Sequence, residues 1–471
     1  MALNSSGPIS LGGATAGQSI NLELGQAATA LSSINAANAR ALAGIPSGQI
    51  SLSSFYGKSS NTYWVAKYGS IQAGQVMAGP SGSLLFLGRW ASINKLTWCR
   101  VNADTTTAYT RTTSGSGGSS VPPMSAFYSS SADRILGIGS EYYHRVVAST
   151  GTYSAGNPVG TYQQTTGGVS GFGSNLYVAS LLIYTSCYGS DERGYVYSVT
   201  SNASVNWGYR ASSSNSTYAR GVASDGSGNL YVAGVSLPNY RPTVWKFNSS
   251  GTFQWSNTQA LTTSGYGAFA IAVNSAGTAI YTLGRNSSSL GVVTKWNSSG
   301  VVQWSVSIGG SNTIYLGSIC VDASDNVYVL CEYGYTGSGT PMLFAKFNSS
   351  GTLQFQRTIQ FNTEYMRQSE RANSLASDGQ GGIVFGCDHG SFTPVVLFGK
   401  LPDDGSKTGT YTMPSYGTFT YGTASFTMGS LTSSSGGSVG NDFASFSFTV
   451  GNFTPSITVS AGPTVNGLVT L

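Results

Sequence analysis

GVASDGSGNLYVAGVS (221–236), followed by TVWKFNSSGTFQWS (243–256), occurs again as AIAVNSAGTAIYTLGR (270–285) with VVTKWNSSGVVQWS (292–305). It occurs a third time as SICVDASDNVYVLCEY (318–333) with LFAKFNSSGTLQFQ (343–356). The asparagines of the shared N-S-S-G turn, Asn248, Asn297 and Asn348, are 49 and 51 residues apart. Each copy holds four short β-prone runs. The first ends in Asp-x-x-Gly or its equivalent, a tight turn, and the third in Lys-aromatic-Asn-Ser-Ser-Gly. In the latter, Asn and Gly tolerate positive φ and the side-chain oxygens can cap local N–H groups. Four antiparallel strands in about fifty residues cannot bury both faces alone, so the units must cover one another around an axis.

Fainter copies extend the pattern both ways. SGSLLFLG (81–88), ADRILGIG (132–139), GSNLYVAS (173–180) and GGIVFGCD (381–388) match the second run of the clear copies. Aligning Leu85, Leu136, Tyr177, Tyr231, Tyr281, Tyr328 and Val384 gives steps of 51, 41, 54, 50, 47 and 56 residues. The fold predicted is all-β: a seven-bladed β-propeller of four-stranded antiparallel blades over residues 63–402. YWVAKYGS (63–70) resembles the outer run QWSVSIGG (303–310), while the last unit stops after its third run, VVLFGKLP (395–402). The N-terminal strand is therefore expected to close the last blade, which removes two open edges at once.

The flanks read differently. Residues 1–62 are small and polar, with an Ala-rich stretch that predicts a short helix around 27–43. This extended, short-helical arm is expected to bury little by itself and to dock on a partner. Residues 403–471 carry alternating runs, TFTYGTASFTMG (418–429) and FASFSFTVGNF (443–453), around LTSSSGGSVGND (431–442). They predict a small β-rich C-terminal appendage with a loop at 431–442.

Charged residues are 8% of the chain, against roughly 25% in an average soluble domain. Serine, threonine, asparagine and glycine replace them, a composition suited to tight turns and to a particle surface. The net charge of +5 is scattered, with no basic stripe, so no nucleic-acid partner is expected. No apolar run is long enough for a membrane span. The start, MALNSSGPISLGG, lacks the charged and apolar regions of a secretory signal. Five dispersed cysteines, Cys99, Cys187, Cys320, Cys331 and Cys387, form no disulfide framework or metal spacing, and are expected as buried thiols of a protein assembled in a reducing cytoplasm.

The opening, MALNSSGPISLGGATAGQSINLELG, and the later ALAGIPSGQISLSSFYGKS resemble virion proteins of tailed bacteriophages, including large phages of cyanobacteria. In that group the N-terminal module precedes varied bodies. The resemblance covers about the first 58 residues and is sharpest at SGPISL and FYGKS. It implies an attachment module, other tail, baseplate or fibre proteins as partners through residues 1–62, several copies in a symmetric assembly, and a location in the virion.

Candidate chemistry is sparse, and no catalytic, cofactor or metal residue is expected. His144 and His389 are the only histidines. Cys387, Asp388 and His389 are consecutive, so on a strand they cannot converge on one centre. Asp225, Asp322, Asp325 and Asp378 lie in turns, where the carboxylate is expected to bind its own backbone rather than calcium. SDERG (190–194) reads as a solvated loop. A host-surface glycan is the alternative partner, through loop aromatics Tyr184, Tyr188, Tyr240, Tyr333 and Tyr335. The expected function is a non-enzymatic structural protein of a phage tail, with the propeller as spacer or platform; a lectin-like adhesin is the alternative.

Overall fold

A computed structural model describes residues 3, 10–11, 18–24, 39, 42, 49, 51–52, 62–68, 71–90, 95–114, 125–130, 132–138, 142–158, 164–172, 175–186, 189–199, 205–211, 218–236, 241–260, 265–309, 314–333, 341–362, 366–367, 374–389, 395–431, 434–438, 443–445, 458–461 and 465–471. These residues form seven antiparallel sheets of four to six strands. The first strand of each sheet packs on the next sheet, and the circle closes where Ile71–Ala78 of the first sheet meets Gly382–His389 of the last.

Every residue aligned by the repeat lies in the second strand of a different sheet. Leu85 is in Leu84–Trp90, Leu136 in Arg134–Ile138, Tyr177 in Asn175–Ser186 and Tyr231 in Leu230–Ser236. Tyr281 is in Ala279–Asn286, Tyr328 in Val327–Tyr333 and Val384 in Gly382–His389. Neighbouring sheets cover both faces of these strands, so Leu230–Val235, Ala279–Gly284 and Val327–Glu332 are buried without interruption. Fourth strands such as Phe253–Ala260 and Val302–Gly309 are instead partly exposed along their length.

The last sheet takes its fourth strand from the N-terminal side. Trp64–Tyr68 pairs antiparallel with Val395–Pro402, in register from Trp64 opposite Lys400 to Tyr68 opposite Val396. Gly399 permits this approach, because a Cβ there would stand 2.1 Å from the Trp64 carbonyl oxygen. Trp64 is itself buried, edge-on to Phe398 at 5.8 Å.

The C-terminal residues are rich in strand, as expected, but they do not form a separate appendage. After the hairpin Gly409–Met413 and Gly417–Thr423, the chain travels back around the ring and adds a strand to the outer edge of one sheet after another. Gly417–Thr423 pairs with Leu353–Phe361 of the sixth sheet, and Thr427–Ser430 with Val302–Gly309 of the fifth. Ser434–Gly437 pairs with Phe253–Ala260 of the fourth, and Phe443–Ser445 with Val205–Ala211 of the third. Thr458–Ala461 joins Thr107–Ser114 of the first sheet, and Asn466–Thr470 joins Trp64–Tyr68 of the seventh. The second sheet has four strands among the described residues. The Leu471 amide donates to the Tyr63 carbonyl at 2.9 Å, so both ends of the ring meet.

Exposed edges explain this belt. An uncovered outer strand presents a row of unpaired N–H and C=O groups, and a short polar strand satisfies them without adding a sticky face. Pairing through the backbone needs no apolar side chain, which is why Ser434–Gly437 is a strand within a stretch that reads as a loop. The belt also has an apolar foothold: Met413, Phe419 and Tyr421 are buried in one cluster with Val65, Phe344, Phe355 and Phe361.

Most of residues 1–62 lie outside the described residues, including nearly all of the helix expected at 27–43; of that run Ala39 and Leu42 are described, both helical. Ser10 bridges Ser19 ahead of a one-turn helix, Ile20–Glu23. Leu3, Ile20 and Ala39 are buried in the isolated chain. These three apolar side chains are therefore covered by the chain itself.

Candidate functional site

The two hairpin turns of each unit lie at the same end of its sheet, and they carry the best-defined polar geometry of the molecule. In the fourth sheet Asp225 Oδ1 accepts the Ser227 and Asn229 amides, both at 2.9 Å. Asp225 Oδ2 accepts Asn229 Nδ2 at 2.8 Å and the Tyr231 hydroxyl at 3.0 Å. The sixth sheet repeats the set: Asp322 binds the Ser324 and Asn326 amides, Asn326 Nδ2 and the Tyr328 hydroxyl at 2.8, 2.9, 2.8 and 3.0 Å. These carboxylates hold their own turns, as expected of Asx turns. In the fifth sheet Asn274 stands in the same place, and its amide donates to Asp325 Oδ1 of the next sheet at 3.0 Å. Asp325 adopts φ +60° there.

On the third strand of the fourth, fifth and sixth sheets a lysine covers the tyrosine opposite it. Lys246, Lys295 and Lys346 sit 5.0, 5.5 and 4.9 Å from the ring centres of Tyr231, Tyr281 and Tyr328, a cation–π arrangement. Burial first, and the neighbouring aspartates second, push all three phenols well above the ordinary tyrosine range. They therefore remain hydrogen-bond donors throughout the usual pH range. In the seventh sheet Val384 replaces the tyrosine, and Lys400 reaches Asp378 directly.

The N-S-S-G turns lock neighbouring sheets. Asn248, Asn297 and Asn348 each accept two backbone amides at 2.8–3.1 Å. The following Gly251, Gly300 and Gly351, at φ +83°, +75° and +83°, lie on Trp207, Trp255 and Trp304 of the preceding sheet. Trp255 and Trp304 donate Nε1 to Ser298 and Ser349 carbonyls at 3.1 and 3.0 Å. These tryptophans fill the space between sheets.

The residues singled out for chemistry are not brought together. His144 and His389 lie on strands Tyr142–Val147 and Gly382–His389, in the second and seventh sheets, with the first sheet between them. Cys387 is buried, and Asp388 follows it on the same strand. Among the described residues no group of three metal-ligating side chains occurs. SDERG (190–194) lies within the strand Gly189–Val199, paired to Asn175–Ser186, rather than in a loop. Tyr184 is on that partner strand; Tyr188, Tyr240 and Tyr335 lie outside the described residues. Tyr333 is half-buried, with Phe426 of the belt 4.1 Å from its ring. A loop aromatic has no sequence marker for such a partner, because the belt is 93 residues away.

A family profile described as a β-propeller repeat matches residues 209–240. Among solved structures, the β-propeller domain of Myceliophteria thermophila Cps50 (Swd1) aligns with 8% identity and a TM-score of 0.45. The alignment covers 71% of this chain and 98% of that one. A search of curated proteins finds no match. With its circle of antiparallel sheets, this protein is a β-propeller, a fold suited to a binding platform.

Proposed function

We propose that this chain is a non-enzymatic structural protein of a bacteriophage tail, associated with the baseplate or a fibre, with residues 1–62 as the attachment module and the propeller as a rigid platform. The observation that carries the reading is the N-terminal wording, SGPISL and FYGKS in front of a separate repeat body, which resembles the modular virion proteins described above. Two features of the body support a platform. Its turn carboxylates are engaged in holding turns, and its ring is fastened at both ends in one sheet. The attachment module leaves the ring at that doubly paired strand, so a load on it is shared by two neighbours.

The test is proteomics of phage particles purified through a density gradient, combined with immunogold labelling against the propeller. The reading expects the chain in stoichiometric amounts at the tail. Its presence in the infected-cell lysate and its absence from particles would overturn it. Glycan-array binding by the isolated chain would instead favour an adhesin.

A further inference from the structure

We propose that Lys400 and Asp378 condense to an intramolecular isopeptide bond that covalently staples the last sheet of the ring.

The site is built by a departure from the repeat. In three other sheets the third-strand lysine rests on a tyrosine ring, and that ring separates it from the turn. Val384 has no ring, and Lys400, opposite it in register, passes through the gap to the turn carboxylate. Nζ lies 2.5 Å from Asp378 Oδ2, with the two side chains 4% and 1% exposed. Gly382 makes the space: a Cβ there would stand 2.1 Å from Lys400 Cε and 2.7 Å from Asp378 Oδ2.

The carboxyl is also oriented for addition. Its Oδ1 accepts the Gln380 and Gly382 amides at 2.8 and 2.9 Å. Two fixed N–H donors on one oxygen stabilise the negative charge that develops there when an amine adds to the carbonyl carbon. The other oxygen, Oδ2, is buried and has Lys400 Nζ as its ion-pair partner. It faces the amine and is the oxygen free to leave.

The chemistry balances without any oxidant or cofactor. The ammonium proton passes to the carboxylate, leaving an amine and an acid. The amine lone pair forms the Nζ–Cγ bond, and the Cγ–Oδ2 bond breaks. Oδ2 departs as water with the acid proton and one amine proton, and the second amine proton stays on the amide. The Asp403 amide donates to the Gly381 carbonyl at 3.0 Å, which ties the end of the third strand to the turn beside Gln380 and Gly382. Burial raises its carboxyl above the usual range, with Asp378 among the charges that add to the effect.

The experiment is intact mass measurement of the purified full chain after denaturation and reduction, followed by peptide mapping. The expected result is a mass one water below that of the sequence, with a branched peptide joining the segments that contain residues 378 and 400. Lys400→Arg and Asp378→Ala should each restore the full mass. Asp378→Asn should lose one ammonia in place of water and give the same branched peptide, an outcome a merely structural ion pair cannot produce. A folded wild-type chain at full sequence mass, with Lys400 open to acetylation once denatured, would overturn the proposal. So would a water loss mapped to any other position.

Discussion

Replacing Phe419 with alanine separates a C-terminal segment that belongs to the ring from one that merely hangs on it. Phe419 is fully buried and lies opposite Phe361, also fully buried. Its cluster includes Val65 of the closing strand and Phe344 and Phe355 of the sixth sheet. Truncating a buried phenylalanine costs about 3–5 kcal/mol, the transfer term plus the cavity left behind. Against a total stability of about 5–15 kcal/mol, that is roughly a third of what holds the fold. Phe426→Ala is the control: Phe426 is only partly buried, at the rim of a neighbouring cluster and edge-on to Tyr333, so its ring contact adds about 0.5–1.5 kcal/mol to the smaller apolar area it buries. The assay is guanidinium unfolding followed by tryptophan fluorescence, since Trp245 and Trp296 report from the fourth and fifth sheets. Phe419→Ala should lower the midpoint of that distant signal markedly, and Phe426→Ala should lower it slightly. An unchanged tryptophan midpoint beside a separate minor transition would refute the integration of the belt.

Other perturbations test other joints. Gly300→Ala meets both a positive φ and Trp255 at 2.6 Å, whereas Gly379→Ala, also at positive φ, meets nothing within 4 Å. Calorimetric stability should fall by about 1–2 kcal/mol for the backbone effect at Gly379 and by clearly more at Gly300. Tyr328→Phe removes a hydrogen bond to the Asp322 carboxylate and should cost about 1.5–3 kcal/mol in denaturant titrations, as expected for a bond to a charged group. The Asp403 carboxyl is raised on folding, so the folded state binds its proton more tightly than the unfolded state does. Its contribution is complete below the unfolded carboxylate range and declines as pH rises through the raised value; Asp403→Asn should stabilise the protein at neutral pH and flatten that decline in melting curves. Thiol titration of the native chain should leave Cys99, Cys320, Cys331 and Cys387 unmodified, since all four are buried and burial pushes the Cys331 thiol up to about 12. Denaturation should release them.

The repeat made the ring legible because a strand covered on both faces needs a nearly continuous apolar run, and LYVAGV, AIYTLG and VYVLCE supply one at each step. The closing strand was legible for a related reason: the last unit lacks a fourth run and YWVAKYGS offers one. The belt was only half legible. TFTYGTASFTMG announces strands, but its pairing runs through backbone N–H and C=O groups that every sequence possesses, so the text does not name the partner edge. The polar order at the turns was visible in the Asp, Asn and Gly positions. The direct Lys400–Asp378 contact was not, because it follows from the absence of a ring at Val384, and an absence has meaning only once the register is known. The loop tyrosines carried no mark distinguishing a sugar platform from a packing group, and Tyr333 is packed.

Hydrogen exchange read by mass spectrometry, peptide by peptide, addresses the fastening of the ring most directly. Amides of residues 64–68, 417–423, 427–430 and 466–470 should exchange as slowly as those of the second strands 230–236 and 279–286, through one common opening event. Exchange of 64–68 and 466–470 within seconds, while 230–236 stays protected, would mean an open ring with loose ends and would contradict the account.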